Sequence, residues 1–241
     1  MSKAFVAGAT GLTGREVVRV LRERGVDVHA HVRPDSRDLD AWRRRFGALG
    51  AEVDTTAWTE DAMRARLGAL APTHVFALLG TTKKRGRATG NADTYESVDY
   101  GLSAILLRAS VACGSRPRFV YLSSMGVTAT TKNPYLAVRH RLETELHASG
   151  LPWFAARPSF IVGERDDDRP LEKVGSAVGD GLLAFVGLLG AKKMRESYRS
   201  QTGAELAQAL VKLALDEAPD RVVPNDELRA LVHPENAPRA S

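Results

Sequence analysis

The chain is short of cysteine, of aromatic residues and of long apolar runs, and each scarcity removes a class of protein. A single thiol, Cys113, excludes an internal disulfide framework and a cysteine-rich metal site. Nothing in that cysteine usage calls for an oxidising compartment, so the expected location is cytoplasmic. Aromatic residues make up 6% of the chain, and the arginines are scattered along helical stretches instead of forming a stripe. That pattern argues against nucleic acid as a partner despite a net charge of +5. The longest apolar run, Leu182 to Leu189, falls far short of the roughly 20 residues that a bilayer span needs, so a membrane role is disfavoured. The strand-like start, Lys3 to Ala7, lacks a signal-peptide pattern. His29, His31, His74, His140, His147 and His233 form no ligand spacing, and no metal is expected.

What remains is the composition of an ordinary globular domain, with 241 residues, 44% hydrophobic and 26% charged. Apolar runs at Phe5–Ala7, Val26–Val32, Ala51–Val53, Thr73–Leu79, Phe119–Leu122 and Trp153–Ala156 read as strands. Helical period fills the gaps, around Val17–Leu21, Thr59–Leu70, Thr94–Cys113 and Tyr135–Ala148. Thr59 suits an N-cap, and Asn133-Pro134 pairs an N-cap with a proline at the first helical position. Strict alternation of apolar strands with helices predicts a doubly wound parallel α/β sheet, a Rossmann fold, covered on both faces. The expected organisation is one domain over 1–241: a dinucleotide-binding core over 1–157, then a small C-terminal substrate-side cap and last helix over 158–241. Within that cap, Glu164–Arg169 reads as an exposed loop and Ala204–Leu215 as an amphipathic helix. The apolar stretch 181–190, followed by the cations of Lys192–Arg195, fits a lid or core packing, a self-association surface, or a helix resting on a membrane.

Gly8-Ala9-Thr10-Gly11-Leu12-Thr13-Gly14 joins the first strand to the first helix. Glycines at such a turn let the backbone approach a pyrophosphate, while the helix N-terminus offers free N–H donors and partial positive charge. Arg33 ends the second strand, 19 residues beyond Gly14. A carboxylate at this point suits the ribose hydroxyls of NAD, whereas an arginine can grip a 2′-phosphate through paired charge-assisted bonds. Arg33, with Ser36 and Arg37 close by, points to NADP(H). Asp35 and Asp38 leave NAD(H) open.

Gly8-x-x-Gly11-x-x-Gly14, Leu78-Leu79-Gly80-Thr81-Thr82, Tyr121-Leu122-Ser123-Ser124, Tyr135-x-x-x-Arg139 and Ala156-Arg157-Pro158 follow one another in this order. In these motifs nearly the whole chain resembles the extended and atypical short-chain dehydrogenases/reductases. Gly80-Thr81-Thr82 and Val98-Asp99 are similar to the atypical branch that includes the HIV Tat-interacting tumour-suppressor protein and its small bacterial relatives. The resemblance implies a cofactor lined by Leu79, Gly80, Thr81 and Ser123, with Asp54 near the adenine and Pro158 near the nicotinamide. It further implies that Tyr135 gives or takes a proton, beside a ribose-holding cation four residues on, and that Ser124 orients a carbonyl. Family helices equivalent to Thr94–Cys113 and Tyr135–Ala148 often pair, so a homodimer is expected on resemblance alone.

The departure lies at Arg139, where catalytic members carry lysine. Arginine keeps the charge, but its planar fork differs from an ammonium and its pKa excludes proton relay. Tyr135 also fits a half-buried structural tyrosine, and Ser123 and Ser124 also fit strand-end hydroxyls that satisfy backbone groups. Lys83, Lys84, Arg85 and Arg87 would attract an acidic substrate or simply form a solvated loop. Two functions stand: an NADP(H)-dependent oxidoreductase acting on a small carbonyl, quinone or enone, and a non-catalytic NADP(H)-binding regulator or scaffold.

Overall fold

The computed structural model describes residues 2–81, 90, 93–162, 200–216 and 220–233. Seven strands form one parallel sheet: β1 (Lys3–Ala7), β2 (Asp27–His31), β3 (Glu52–Asp54), β4 (His74–Ala77), β5 (Arg118–Leu122), β6 (Trp153–Arg157) and, after the short β7 (Ile161–Val162) and β8 (Gln201–Thr202), β9 (Arg221–Pro224). Their order is β3-β2-β1-β4-β5-β6-β9, and β7 pairs with β8 in a separate parallel ladder. The order in which strands are added reverses between β1 and β4, and such a switch point opens a crevice at the carboxyl ends of the strands. The doubly wound α/β fold expected from the alternation is the fold observed.

Period-two patterning sorts the strand side chains onto two faces. Ala4, Val6, Val28, Ala30, Phe76, Val120 and Phe154 enter one core, while Phe5, Ala7, Val75, Phe119, Tyr121 and Trp153 enter the other. The first face is covered by α1 (Leu12–Glu23), whose Val17, Val18 and Leu21 are buried, and by α7 (Gly203–Leu215). Near the sheet edge, α2 (Leu39–Ala48) adds Phe46 to the same core. The second face receives α3 (Glu60–Leu70), the helix pair α4 (Tyr95–Leu102) and α5 (Ser103–Ala112), and α6 (Pro134–His147).

Helix starts follow local chemistry. Thr59 Oγ1 accepts from the Ala62 N–H at 3.3 Å, and Asn133 Oδ1 accepts from the Tyr135 N–H at 2.9 Å with Pro134 in the first turn. Thr94 and Ser97 exchange the bonds of a capping box. From there α4 winds as a π-helix and turns two successive residues, Asp99 and Tyr100, inward. Such wide windings recur at functional sites. The sequence pattern announces a helix here, but not its winding.

Two elements from the stretch expected to form the cap belong to the core: α7 packs on α1, and β9 pairs with β6. The reason is burial, since eight of its thirteen residues point inward from α7, more than a cap helix exposed on one side would hide. Also beyond the sequence pattern are α2 and the closing α8 (Asn225–Ala230). The cationic loop from Thr82, the acidic run at 164–169, the apolar stretch at 181–190 and the cations at 192–195 lie outside the described residues. Among the described residues, no helix is long and apolar enough to cross a membrane.

Candidate dinucleotide and catalytic site

The glycine loop is shaped by backbone contact. Gly8 has φ +80°, and a Cβ there would come 2.5 Å from the Leu78 carbonyl oxygen. On Gly14 a Cβ would strike the Gly8 carbonyl, so α1 can approach β1 only with glycine at that position. The Gly11 N–H closes the turn onto Gly8 O at 3.0 Å. Gly11 is the N-cap of α1, with no side-chain cap and no acidic residue in the first turn. The first-turn N–H groups of α1 therefore carry no side-chain cap at the positive end of the helix dipole, an arrangement that fits a pyrophosphate. Thr10 and Gly11 are exposed and Leu12 half-buried, while Thr13 and Gly14 are turned into the packing.

Arg33 lies just beyond the carboxyl end of β2. Its side chain is 40% exposed, with Nε 3.7 Å from Asp35 and Nη1 3.8 Å from Asp93. Both contacts are long, so a dianionic phosphate could displace them. Asp54, expected beside the adenine, is engaged within the protein at both carboxylate oxygens. One of its oxygens accepts from the Thr56 N–H at 2.9 Å and the other is ion-paired with Arg66. Burial pushes this carboxyl up, but the bonds from Thr56 and Arg66 outweigh it and hold it below the ordinary aspartate value. Asp54 thus ties β3 to α3. Its neighbour His31 bonds the Thr56 carbonyl through Nε2 at 2.8 Å and packs against Trp58.

The carboxyl ends of β4 and β5 hold a buried ion pair. Arg139, from α6, places Nη2 2.7 Å from Asp99 Oδ1 of α4, and its Nη1 donates to the Leu122 carbonyl at 2.5 Å. The two side chains are 6% and 0% exposed. Asp99 Oδ2 also accepts from the Thr81 N–H at 2.9 Å, and a Cβ at Gly80 would sit 3.3 Å from Arg139 Nη2. The pair lies directly under the Leu79-Gly80-Thr81 segment. Burial pushes the Asp99 carboxyl up, and Arg139 with Thr81 offsets only part of that. For Arg139, burial opposes the charge, and Tyr135, Tyr121 and Asp99 more than restore it. The guanidinium lies 4.6 Å from the ring centroid of Tyr135, which meets Tyr95 edge-on at 5.2 Å.

The two serines after β5 separate cleanly. Ser123 is buried, and its hydroxyl donates to Glu143 at 2.5 Å; Glu143 also receives Arg157 through two nitrogens. Ser124 is half-buried, and among the described residues its hydroxyl makes one bond, to the Met125 carbonyl at 3.2 Å. Pro158 is buried, and its carbonyl accepts the Met125 N–H at 2.9 Å, which fixes the turn after β6 against the serine loop. Tyr135, Arg139, Ser124, Gly80, Thr81 and Pro158 thus share one sheet edge, whereas Asp54 and the Ser123 hydroxyl serve the protein's own network. The sequence pattern shows Arg157 only within Ala156-Arg157-Pro158 and does not announce Glu143. The one signal for Glu143 is that Tyr135, Arg139 and Glu143 recur every four residues along one face of α6.

A family model described as NAD(P)H-binding matches residues 8–182. The chain belongs to this NAD(P)H-binding family. Among curated relatives, protein FMP52-1, mitochondrial, of Scheffersomyces stipitis is 29% identical over 169 residues, covering 70% of this chain and 71% of its own. Protein FMP52, mitochondrial, of Coccidioides immitis is 26% identical, covering 89% and 86%. Two solved structures share the fold: the UDP-glucose 4-epimerase of Thermus thermophilus in complex with NAD (TM-score 0.63, 18% identity, 96% of this chain and 81% of that one) and an NAD-dependent epimerase/dehydratase of Bacillus halodurans (0.67, 17%, 97% and 100%). The relatives are FMP52 proteins by name, which does not single out the Tat-interacting branch. Their names also overturn the cytoplasmic expectation: they are mitochondrial proteins, and scarce cysteine does not separate the cytoplasm from another reducing compartment.

Proposed function

We propose that the chain is an NADP(H)-dependent oxidoreductase of short-chain dehydrogenase/reductase type that acts on a small carbonyl, quinone or enone. The observation that carries this reading is the Tyr135–Arg139 pair at the carboxyl edge of the sheet, ring over guanidinium, beside a loop built for a pyrophosphate. When bound, NADPH supplies the hydride. Tyr135 donates the proton to the oxygen on which negative charge develops. The buried charge of Arg139 stabilises the tyrosinate left behind. Ser124 orients the carbonyl, because its bond to the Met125 carbonyl is long and replaceable while Ser123 is held by Glu143. Arg33 grips the 2′-phosphate and so selects NADPH over NADH. Placement in the atypical branch rests on Gly80-Thr81-Thr82 and Val98-Asp99.

A second reading, a non-catalytic NADP(H)-binding regulator, is favoured by one detail. Both terminal nitrogens of Arg139 are taken, one by Asp99 and one by Leu122 O, and neither is turned toward a ribose. Titration with NADPH and NADH, followed by a screen of carbonyls, quinones and enones, tests the first reading. Arg33→Ala is expected to weaken NADPH about 10- to 100-fold and leave NADH nearly unchanged. Tyr135→Phe is expected to lower turnover by at least about 100-fold with NADPH affinity retained. Binding without turnover on any substrate would move the assignment to the regulator.

A further inference from the structure

The turn after β6 is held by a run of hydrogen bonds that ends in one unused acceptor. The Ser159 N–H donates to Asn225 Oδ1 at 2.9 Å, and Gln201 Nε2 donates to the same oxygen at 2.6 Å. The Gln201 N–H donates to the Phe160 carbonyl at 3.0 Å. These bonds fix which way both amides face. A backbone N–H can only donate, so Asn225 must present its oxygen to Ser159, and that oxygen in turn requires the nitrogen of Gln201. Gln201 Oε1 is therefore turned away from Asn225. The residue is 2% exposed, and Oε1 has no hydrogen-bond partner among the described residues. A buried acceptor left in that state is costly, and in native proteins it calls for a missing donor.

Its position says which donor. Two residues on, Gly203 packs so tightly on the start of α1 that a Cβ there would lie 2.8 Å from the Leu12 carbonyl oxygen. Gln201 thus stands between the glycine loop and the turn Pro158-Ser159-Phe160, which Met125 ties to the Ser124 loop. A dinucleotide with its phosphates on α1 and its reactive ring toward Ser124 would carry its nicotinamide end toward this corner. The phosphates of the cofactor offer only acceptors at neutral pH, and the ribose hydroxyls both donate and accept. The carboxamide NH₂ can only donate.

We propose that Gln201 Oε1 accepts a hydrogen bond from the carboxamide N–H of the bound nicotinamide, making Gln201 the residue that reads that end of the cofactor. The inference rests on the dinucleotide-binding reading and not on turnover. The test measures binding alone, by calorimetry, for wild type and Gln201→Met. Three probes are used: NADP⁺ (or NAD⁺, whichever binds better), its 3-acetylpyridine analogue, which keeps the carbonyl but lacks the NH₂, and ADP-ribose, which lacks the ring. Wild type is expected to bind the acetylpyridine analogue about tenfold more weakly than the parent cofactor. Gln201→Met should lose about tenfold for the parent, bind parent and analogue alike, and keep its ADP-ribose affinity within about twofold. Unchanged ADP-ribose binding shows that the variant is folded at the glycine loop. A Gln201→Met protein that still prefers the parent cofactor, or that loses all three ligands equally, overturns the proposal and leaves Gln201 a packing residue. Wild type binding none of the probes refutes the dinucleotide reading itself.

Discussion

Replacing Asp99 with leucine, a side chain of similar size, tests whether the buried pair under Gly80 organises this site. The change leaves the Arg139 guanidinium charged, 6% exposed and without its 2.7 Å partner, and it removes the acceptor of the Thr81 N–H. Breaking a buried pair from one side costs about 3–5 kcal/mol, because the remaining charge stays desolvated. For a domain of this size each kcal/mol lowers the melting temperature by about 2–4 °C, so the expected drop is about 6–20 °C. Replacing both partners, Asp99→Leu with Arg139→Met, removes the orphaned charge and should recover much of that loss. The assay is thermal unfolding followed by circular dichroism without cofactor, since ligand binding would add its own stabilisation. A single variant melting within about 2 °C of wild type would mean that the charge is relieved by water or rearrangement. A double variant no more stable than the single one would mean that the two groups are not coupled. Either result refutes the reasoning.

Gly14→Ala places a methyl group into the Gly8 carbonyl, whereas at Gly11 a methyl meets the same oxygen at 3.2 Å. NADPH affinity should therefore fall more than about tenfold for Gly14→Ala and less for Gly11→Ala; equal affinities in a fluorescence titration would remove the steric account. Stability should also depend on pH through His31, whose imidazole burial holds below its ordinary value of 6.5, despite the Thr56 carbonyl and Asp54. The unfolded chain takes up a proton near that value that the folded chain refuses, so stability falls as pH drops below it, by at most about 1.4 kcal/mol per unit. Urea unfolding between pH 7.5 and 5.5 should show a smaller loss for His31→Gln than for wild type; parallel losses would exclude His31 as the source.

Local signals wrote much of the scaffold into the sequence. The continuous apolar run Phe5, Val6 and Ala7 predicts a strand covered on both faces, Thr59 and Asn133-Pro134 predict where helices begin, and the three glycines predict the loop between β1 and α1. Each depends on a few neighbouring residues, which is why it can be read without the fold. Three short elements carried too little pattern: α2 buries only Phe46, β9 has four residues, and α8 six. Their place is set by the layers they complete.

The site divides in the same way. Its nucleus of glycine loop, Tyr135, Ser124 and Arg139 is legible because spacing along one strand end or one helix face fixes it. The partners of those residues are not, because they arrive from other elements: Asp99 lies 40 residues from Arg139, Glu143 lies 20 from Ser123, and Asn225 lies 24 from Gln201. Sequence determined that this chain folds as a parallel α/β sheet with a dinucleotide loop at its first turn. Only the tertiary structure decided that Asp54 is bound to Arg66, that Ser123 belongs to Glu143, and that the arginine standing for a lysine is paired with a buried aspartate. A side chain's chemistry is its own, but its charge state and its free valences are settled by what the fold packs against it.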